Sequence, residues 1–425
     1  MFLFWICGAL ALFGLAMHAV QIVAVRKKLG GERERPDGGA LPPVSLLKPL
    51  KGLDDNLFDN LESFCLLEYP EYEIIFSLQN ANDPACKVAA KVRDKYPERD
   101  ITIHIEKCDA GLNPKVNNLI PAYKIAKHGL VLISDSNVMV GRQYLREIVR
   151  HMDDPCVGLV SNLIRGTGGR SLGSLFEILH LNSFVAGSVC FLDTFLKIPC
   201  VIGKSMLMRK KDLEAIGGLE SMKDILAEDY MIGERMHRSG KKVVLSRYRI
   251  RNVNLYWGMG RFLNRHTRWG KLRWHIGGYR YLLELAGNPV FISWLPVWFG
   301  GPSAAALSLA LSVSLMKAAG DLYLGKILAG SEQEGDEGKT AFSPFFYLLS
   351  PVKDLVIGCI WCVPLLSRTV TWRGTTYRIG RDSLLSPCPS EGKGIGKYRY
   401  RVRDLTQRVS WGVFRFLHSI RERFA

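Results

Sequence analysis

The chain has 425 residues, enough for a full core and a second, smaller module, and 57 Lys and Arg against 40 Asp and Glu give it a net charge of +17. Hydrophobic residues make up 48%, high for a soluble enzyme, and the charge calls for an acidic partner: nucleic acid, a phosphorylated substrate or an anionic membrane. The ten cysteines are scattered without paired metal-ligand spacing, which argues against zinc and against a disulfide framework; Cys359 and Cys362, the one close pair, read as buried thiols in an apolar run. The reactive part therefore faces a reducing compartment.

Phe2–Val25 is apolar apart from His18 and Gln21, long enough to cross a bilayer. Basic residues follow it (Arg26, Lys27, Lys28) and none precedes it. That is the reverse of a cleaved signal peptide, and it places the following chain on the cytosolic side of an uncleaved anchor over residues 1–25. Residues 26–43 form a polar Gly/Pro linker.

From Val44 the pattern is of strands alternating with amphipathic helices. Strands are expected at Val44–Leu47, Glu73–Leu78, Ile101–Ile105 and Leu130–Ile133, and helices that return the chain between them give parallel pairing and a doubly wound sheet. The fourth strand runs into Ser134-Asp135-Ser136-Asn137. Ligands of open α/β sheets bind beyond the carboxyl ends of strands, so Asp135 stands where a divalent cation and substrate phosphates would meet. An Asp at that place also caps helices, and the stretch alone leaves both readings open. Asp83 follows the second strand and projects from the same edge.

Further on, Val157–Ser161 reads as a strand, Gly166–Gly169 as a turn, Leu172 to about Leu196 as a long apolar helix, and Cys200–Met208 as a buried strand whose Gly203 permits close backbone approach to a ligand. Asp224–Tyr230 leads a helix that stops at Ser239-Gly240; its acidic opening suits the helix dipole as well as chemistry. Val243–Leu245 is a short strand. Phe262–Trp274 crowds Arg265, Arg268, Lys271 and Arg273 with two tryptophans, either a basic surface helix or a clamp on a diphosphate. Val290–Met316 and Phe345–Leu366 are apolar, separated by the acidic Ser331–Glu337. They give about two spans over 286–367 and three in all, with Lys353 and Asp354 pairing inside the second. The basic tail 368–425 carries apolar residues from Val402 to Phe424 every three or four positions, an amphipathic helix for an anionic membrane surface or for its own protein.

Taken in order, VSLLKPLKGLD, the Asp of QNANDP, GLNPKVNNL, ISDS, GKSMLMRK, AEDY and RHTRWGKLR resemble the ceramide glucosyltransferase family, inverting membrane glycosyltransferases with a GT-A fold. The resemblance implies an α/β fold: a GT-A-type, doubly wound, mostly parallel sheet over 44–285, with transmembrane helices at both ends. It implies a divalent metal (Mn2+ or Mg2+) held by Asp135, and transfer of glucose from UDP-glucose, or of a related UDP-sugar, to the primary hydroxyl of ceramide. Asp229 matches the general base and Asp83 the aspartate near the uridine. Donor contacts fall on Lys48, Pro49, Lys115, Asn118, Gly203 and the Arg265-x-x-Arg268-Trp269 motif. Asn137 stands where the family usually has Gly, and since it is no carboxylate it argues against a two-carboxylate metal site. Val185 stands where the animal enzymes carry a His; the nearest His is His180.

Elementary chemistry agrees. A departing UDP needs cations, for which Lys115, Arg265 and Arg268 are candidates, and an alcohol needs a carboxylate to take its proton. The membrane on which the catalytic part sits is a bacterial inner membrane or a Golgi-type membrane. A hopanoid-modifying glycosyltransferase family shares nearly all these motifs and is the nearest alternative. A processive polysaccharide synthase needs a larger helical channel than three spans provide. Nucleic acid is not the expected partner, because the basic residues flank the spans and the crevice and form no aromatic-interleaved soluble face.

Overall fold

The computed structural model describes residues 1–30, 41–330, 342–372 and 374–388. The acidic loop at Ser331–Glu337 and the tail helix expected over 402–424 lie outside them, as does most of the linker. The chain divides into two compact units: His18–Met259 with Ala319–Tyr347, and Met1–Met17 with Gly260–Ala318 and the chain from Leu348.

In chain order the helices are α1 (Phe2–Gly30), α2 (Leu57–Cys65), α3 (Pro84–Lys95), α4 (Pro114–Ile125), α5 (Tyr144–Val149), α6 (Leu172–His180), α7 (Ala186–Phe191), α8 (Lys210–Ala215), α9 (Glu228–Arg238), α10 (Met259–Gly277), α11 (Pro289–Gly300), α12 (Ala304–Ala329), α13 (Ser350–Ile360) and α14 (Val363–Leu366). The first unit holds an eight-stranded sheet made of β1 (Val44–Pro49), β2 (Tyr72–Leu78), β3 (Asp100–Ile105), β4 (Leu130–Ser134), β5 (Val138–Met139), β6 (Val157–Gly168), β7 (Ser205–Arg209) and β8 (Lys242–Asn254), in the order β3-β2-β1-β4-β7-β6-β8-β5.

The expected crossovers give the expected parallel pairs: Leu46 lies opposite Ile74 on one side and Leu132 on the other. Apolar runs such as Leu130–Ile133 are fully buried, as central parallel strands should be. One face is sealed by α4 and α9, whose Val116, Leu119, Ile232 and Met236 pack on Leu47, Val131, Ile133 and Met206. Each such side chain contributes roughly 1.5–3 kcal/mol by leaving water.

Three strands depart from the sequence reading. Cys200–Met208 is a strand only from Ser205, and it runs antiparallel to β4, with Ser134 opposite Ser205. Residues 200–204 are therefore a loop at the carboxyl end of β4. The strands read as Val157–Ser161 and Val243–Leu245 extend to Gly168 and Asn254 and pair in parallel. Gly166, read as part of a turn, lies within the strand, where a Cβ would meet Ile178 Cα of α6 at 3.0 Å.

The run Leu172–Leu196 forms one helical rod, its α-helical parts widened by π-helical turns at Leu181–Val185 and Leu192–Leu196. It is one of four helical runs among the described residues long and apolar enough to cross a membrane, with Phe2–Gly30, Ala304–Ala329 and Pro344–Leu366. Its Ala186 and Cys190 pack on Ala24, Val25, Leu324 and Leu328. The stretch Val290–Met316 is two helices, α11 and α12, parted at Gly301, whose φ of 86° suits glycine.

In the second unit Cys7 and Ala11 pack on Ile292 and Val313, and Tyr281 stacks on Trp361 at 5.6 Å. Lys353 pairs with Asp354 at 2.6 Å, with Lys317 at 3.5 Å from the same carboxylate, as charges in an apolar segment require. Cys359 and Cys362 are free and exposed at the protein surface: the apolar run around them turns partly outward. The opening of the basic tail is a small antiparallel sheet of β9 (Thr369–Trp372), β10 (Thr375–Ile379) and β11 (Leu385–Pro387).

At the amino ends of β1 and β2, buried Glu73 accepts from Ser45 Oγ and from Lys127 N, both at 2.6 Å, tying two strands to the turn before β4. Glu73→Ala orphans both donors, at a cost of about 1–3 kcal/mol. The thermal midpoint in detergent should fall by several degrees, whereas Glu98→Ala, at a largely exposed side chain, should leave it within a degree or so; equal shifts would contradict the role given to Glu73.

Candidate active site

The loop after β4 rests on Lys48. This lysine is fully buried; its Nζ lies 3.5 Å from the Phe64 ring centroid and donates to Ser134 Oγ at 3.3 Å and Asp135 O at 3.1 Å. Burial pushes its pKa well below the usual lysine value, with the Asp135 charge opposing. Expected as a donor contact, Lys48 lies wholly inside in this structure and supports the loop from below. Asn118 is likewise under the site, donating to Leu50 O at 2.9 Å while Ser77 Oγ donates to it at 3.1 Å. Pro49 closes β1 next to them.

Above this floor the Asp135 carboxylate lies between two ammonium groups. Lys115 Nζ is 2.9 Å from Oδ1 and Lys204 Nζ is 2.9 Å from Oδ2. Lys115 also reaches Glu228 Oε1 and Gly203 O, each at 3.0 Å, and Lys204 donates to Asn137 Oδ1 at 2.7 Å. Burial works against the charge on Asp135, but the two lysines outweigh it and hold the carboxyl well below the usual carboxylate range. Burial likewise opposes the charge of Lys115, and Asp135, Glu228 and Asp229 overcome it and push its pKa up.

Lys115 is placed by the start of α4. Asn113 caps that helix, accepting from Lys115 N at 2.9 Å and Val116 N at 3.1 Å, with Pro114 at the first helical position. Its amide also donates to Ile225 O at 2.6 Å and Glu228 Oε2 at 3.2 Å, so one side chain sets both Lys115 and Glu228.

Asp229, in the first turn of α9, accepts from Gly203 N at 2.9 Å and Tyr230 N at 2.8 Å. A Cβ on residue 203 would sit 2.4 Å from Asp229 Oδ2, so only glycine lets the loop receive this carboxylate. Burial first, then the charge of Glu228, raises its pKa to about 6, with Lys115 and the two amides opposing. Glu228 is buried and Asp229 is half-buried, so of the two acidic neighbours Asp229 is the more accessible.

Asp83 has a bracing role. Its carboxylate accepts from Gly52 N at 2.9 and 3.0 Å and from Ala85 N at 2.9 Å, capping α3 and fastening the loop after β1. Asp54 and Asp55 hold neighbouring loops, accepting from Ser136 Oγ at 2.5 Å and from Leu255 N at 2.7 Å. Lys115, Asp135, Gly203 and Asp229 thus meet in one place, with Lys48, Asn118 and Asp83 around it. Arg265, Arg268 and Trp269 belong to the other unit, where Arg265 lies 4.3 Å over the Trp269 ring and Arg268 lies 5.6 Å over Trp372.

The sequence reading gives no site role to Lys204 or Asn113, and it passes over Glu228 in favour of Asp229 as the base. Lys204 was hidden inside the stretch read as a strand; Asn113 before Pro114 carried a legible cap signal.

The donor set suits a cation that arrives with its substrate. Among the described residues no three His, Cys, Asp or Glu side chains gather to hold a metal ion alone. A hard divalent cation that keeps waters and takes phosphate oxygens needs only one or two protein carboxylates, and Asp135 supplies one, its side chain 23% exposed at the strand end.

The description "Glycosyl transferase family 21" matches residues 6–385. Ceramide glucosyltransferase 3 of Caenorhabditis elegans is 26% identical over 378 residues, covering 88% of this chain and 81% of its own. Ceramide glucosyltransferase 1 of the same organism is 29% identical over 342 residues, covering 80% and 72%. Among solved structures, the mannosyltransferase PcManGT from Pyrobaculum calidifontis, in complex with GDP-Man and Mn2+, superposes with a TM-score of 0.50 at 15% identity, over 86% of this chain and 98% of that one. The fold is thus of the GT-A type, and with a match spanning nearly its whole length the chain belongs to glycosyl transferase family 21.

Proposed function

We propose that this membrane glycosyltransferase moves glucose from UDP-glucose to the primary hydroxyl of ceramide, with inversion, in a catalytic unit on the cytosolic face. The observation that carries the reading is the pairing of two differently tuned carboxylates. Asp135 is kept ionised between Lys115 and Lys204, while Asp229 has a pKa raised to about 6, suited to accepting a proton near neutrality. The curated relatives in Caenorhabditis elegans, named as ceramide glucosyltransferases, supply the sugar and the acceptor. Apolar helices such as Phe2–Gly30 and Ala304–Ala329 supply the membrane.

Asp135 would hold a divalent cation, Mn2+ or Mg2+, against the donor's diphosphate, and the cation would supply Lewis-acid charge to the leaving UDP. Lys115 adds a fixed positive charge beside it. Asp229 takes the proton from the acceptor hydroxyl as that oxygen attacks the anomeric carbon, and one displacement inverts the centre. Glu228 stays with Lys115 and raises the basicity of its neighbour. The anionic surface of the membrane attracts the basic flanks of the spans.

Purified protein in detergent, given ceramide and a panel of UDP-sugars, should form hexosylceramide from UDP-glucose, identified by product mass and by its β-anomeric linkage. Transfer confined to a hopanoid or another lipid, or retention at the anomeric carbon, would contradict the assignment.

Asp229→Asn should lower transfer by at least ~100-fold with little change in UDP affinity. In the wild type, kcat/KM for the acceptor should fall about tenfold per pH unit below about pH 6 and level off above it, because only the ionised carboxylate accepts a proton. Glu228→Gln removes the negative charge that raises Asp229, so the acid limb should move to lower pH. An unmoved limb in that variant, or near-normal transfer by Asp229→Asn, would give the base to another residue.

A further inference from the structure

The second compact unit is strongly basic. Among its described residues it holds three carboxylates, and each has a cation beside it: Glu284 lies 2.9 Å from Arg273, Asp354 lies 2.6 Å from Lys353 and Asp382 lies 3.8 Å from Arg381. None is left for Lys271 of α10. This side chain is 6% exposed, and among the described residues its Nζ donates only to neutral oxygens, Thr369 O at 2.6 Å and Ser367 Oγ at 3.2 Å. An ammonium has three donors, and two are used. Arg368 stands between those two partners in the chain. One helical turn beyond Lys271, on the same face, His275 has its Nε2 buried without a hydrogen-bond partner among the described residues. Burial draws the Lys271 pKa down to about 8. It also lowers that of His275, and the charges of Arg368 and Lys271 lower it further. Cations held together out of water without a counter-ion are costly.

The cluster lies close to a change of environment along the chain. The helical run Met259–Gly287 meets the apolar α11 at an angle of 73°. Trp274 and Trp361 gather on Tyr281 near that bend, with ring centroids 6.2 and 5.6 Å from it. A basic helix that turns into an apolar one, with tryptophan and tyrosine near the turn, suits the headgroup layer of a bilayer.

We propose that Lys271, His275 and Arg368 form a binding site for a phosphate group, carried by an anionic lipid headgroup or by a soluble phosphate, which supplies the negative charge that this cluster lacks. The chemistry matches donor for acceptor. A phosphate presents several charged oxygens: one for the third Nζ donor of Lys271, one for the imidazole and one for the guanidinium of Arg368. Arg368 is exposed and marks the open side of the site, with the buried Lys271 at its base. Thr369 O and Ser367 Oγ aim the ammonium without neutralising it, so its charge stays available to the anion.

The test uses the full-length protein in neutral detergent at about pH 7, below the Lys271 pKa, with affinities taken from the rise of the thermal midpoint as each probe is added. The probes are phosphatidylglycerol in mixed micelles, measured against zwitterionic phosphatidylcholine at the same mole fraction, inorganic phosphate, and UDP without metal. At least one anionic probe should bind, and Lys271→Met should weaken it about 10–100-fold, the worth of a hydrogen bond to a charged group. Arg368→Gln alters an exposed side chain, so the fold is kept, and it should weaken the same probe roughly two- to fivefold. Arg381→Gln removes a charge from a side chain 93% exposed in the same unit and should leave the affinity unchanged. A loss confined to phosphatidylglycerol assigns the site to a lipid headgroup, and a loss confined to inorganic phosphate or UDP assigns it to a soluble phosphate. The site is refuted if no anionic probe binds the wild type, if Lys271→Met and Arg368→Gln bind every probe as the wild type does, or if Arg381→Gln weakens binding as much as they do.

Discussion

Three carboxylates and two ammonium groups share the space where β4 ends and β7 begins, and most of the catalytic unit can be understood as the means of holding them there. Lys115 is at the centre: one ammonium touches Asp135, Glu228 and Gly203 O. Buried charges are tolerated only when partners and hydrogen bonds replace water, so each member of the group constrains the next. Asn113 fixes Lys115 and Glu228 together, and Gly203 joins Lys115 to Asp229 through its carbonyl and its amide. The result is two acids of opposite character within one network. Asp135 is kept charged by its cations, and Asp229 is kept protonatable by burial and by Glu228.

The topology makes this possible. In a sheet of parallel strands alone, the start of each strand lies at the far edge from the ligand. Here β7 runs antiparallel to β4, which brings the loop before it, with Gly203 and Lys204, to the carboxyl end of β4. A loop, α4 and α9 then converge on one carboxylate. Beneath them the wholly buried Lys48 supports the loop by bonding the Asp135 carbonyl.

Much of this was legible in the sequence. The apolar runs gave the parallel strands, because strands covered on both faces need uninterrupted hydrophobic residues, and Asp135 was found because a carboxylate directly after such a run stands at a ligand edge. Asp229 and Lys115 came from ordered motifs. The Lys204 contact was not legible: continuing the apolar pattern of Met206–Met208 back to Cys200 turned a loop into a strand. Asp83 and Lys48 were recognisable as important; that Asp83 braces the loop after β1 and Lys48 lies wholly inside beneath Asp135 are properties of the folded chain. The long β6–β8 pairing was missed because glycines at 166 and 168 signal a turn when their neighbours are unknown, whereas Ile178 occupies the space over Gly166. The apolar helix Leu172–Leu196, read from the sequence as a helix and not as a span, is long and apolar enough to cross a membrane and packs on Ala24, Val25, Leu324 and Leu328 of two further such helices.

The account depends on Lys115 acting as a shared ion, and a double-mutant cycle on Lys115 and Glu228 measures that directly. Lys115→Met and Glu228→Gln are made singly and together, and the thermal midpoint is recorded in detergent without ligands. Lys115→Met leaves the buried Glu228 without its cation and Glu228→Gln takes from Lys115 one of its two carboxylates, so each single change should lower the midpoint, while the double variant removes both charges and should be no less stable than the worse single one, a coupling on the order of 0.5–3 kcal/mol. Two losses that simply add would show that Lys115 and Glu228 are independent, and the network described here would not be what holds the site.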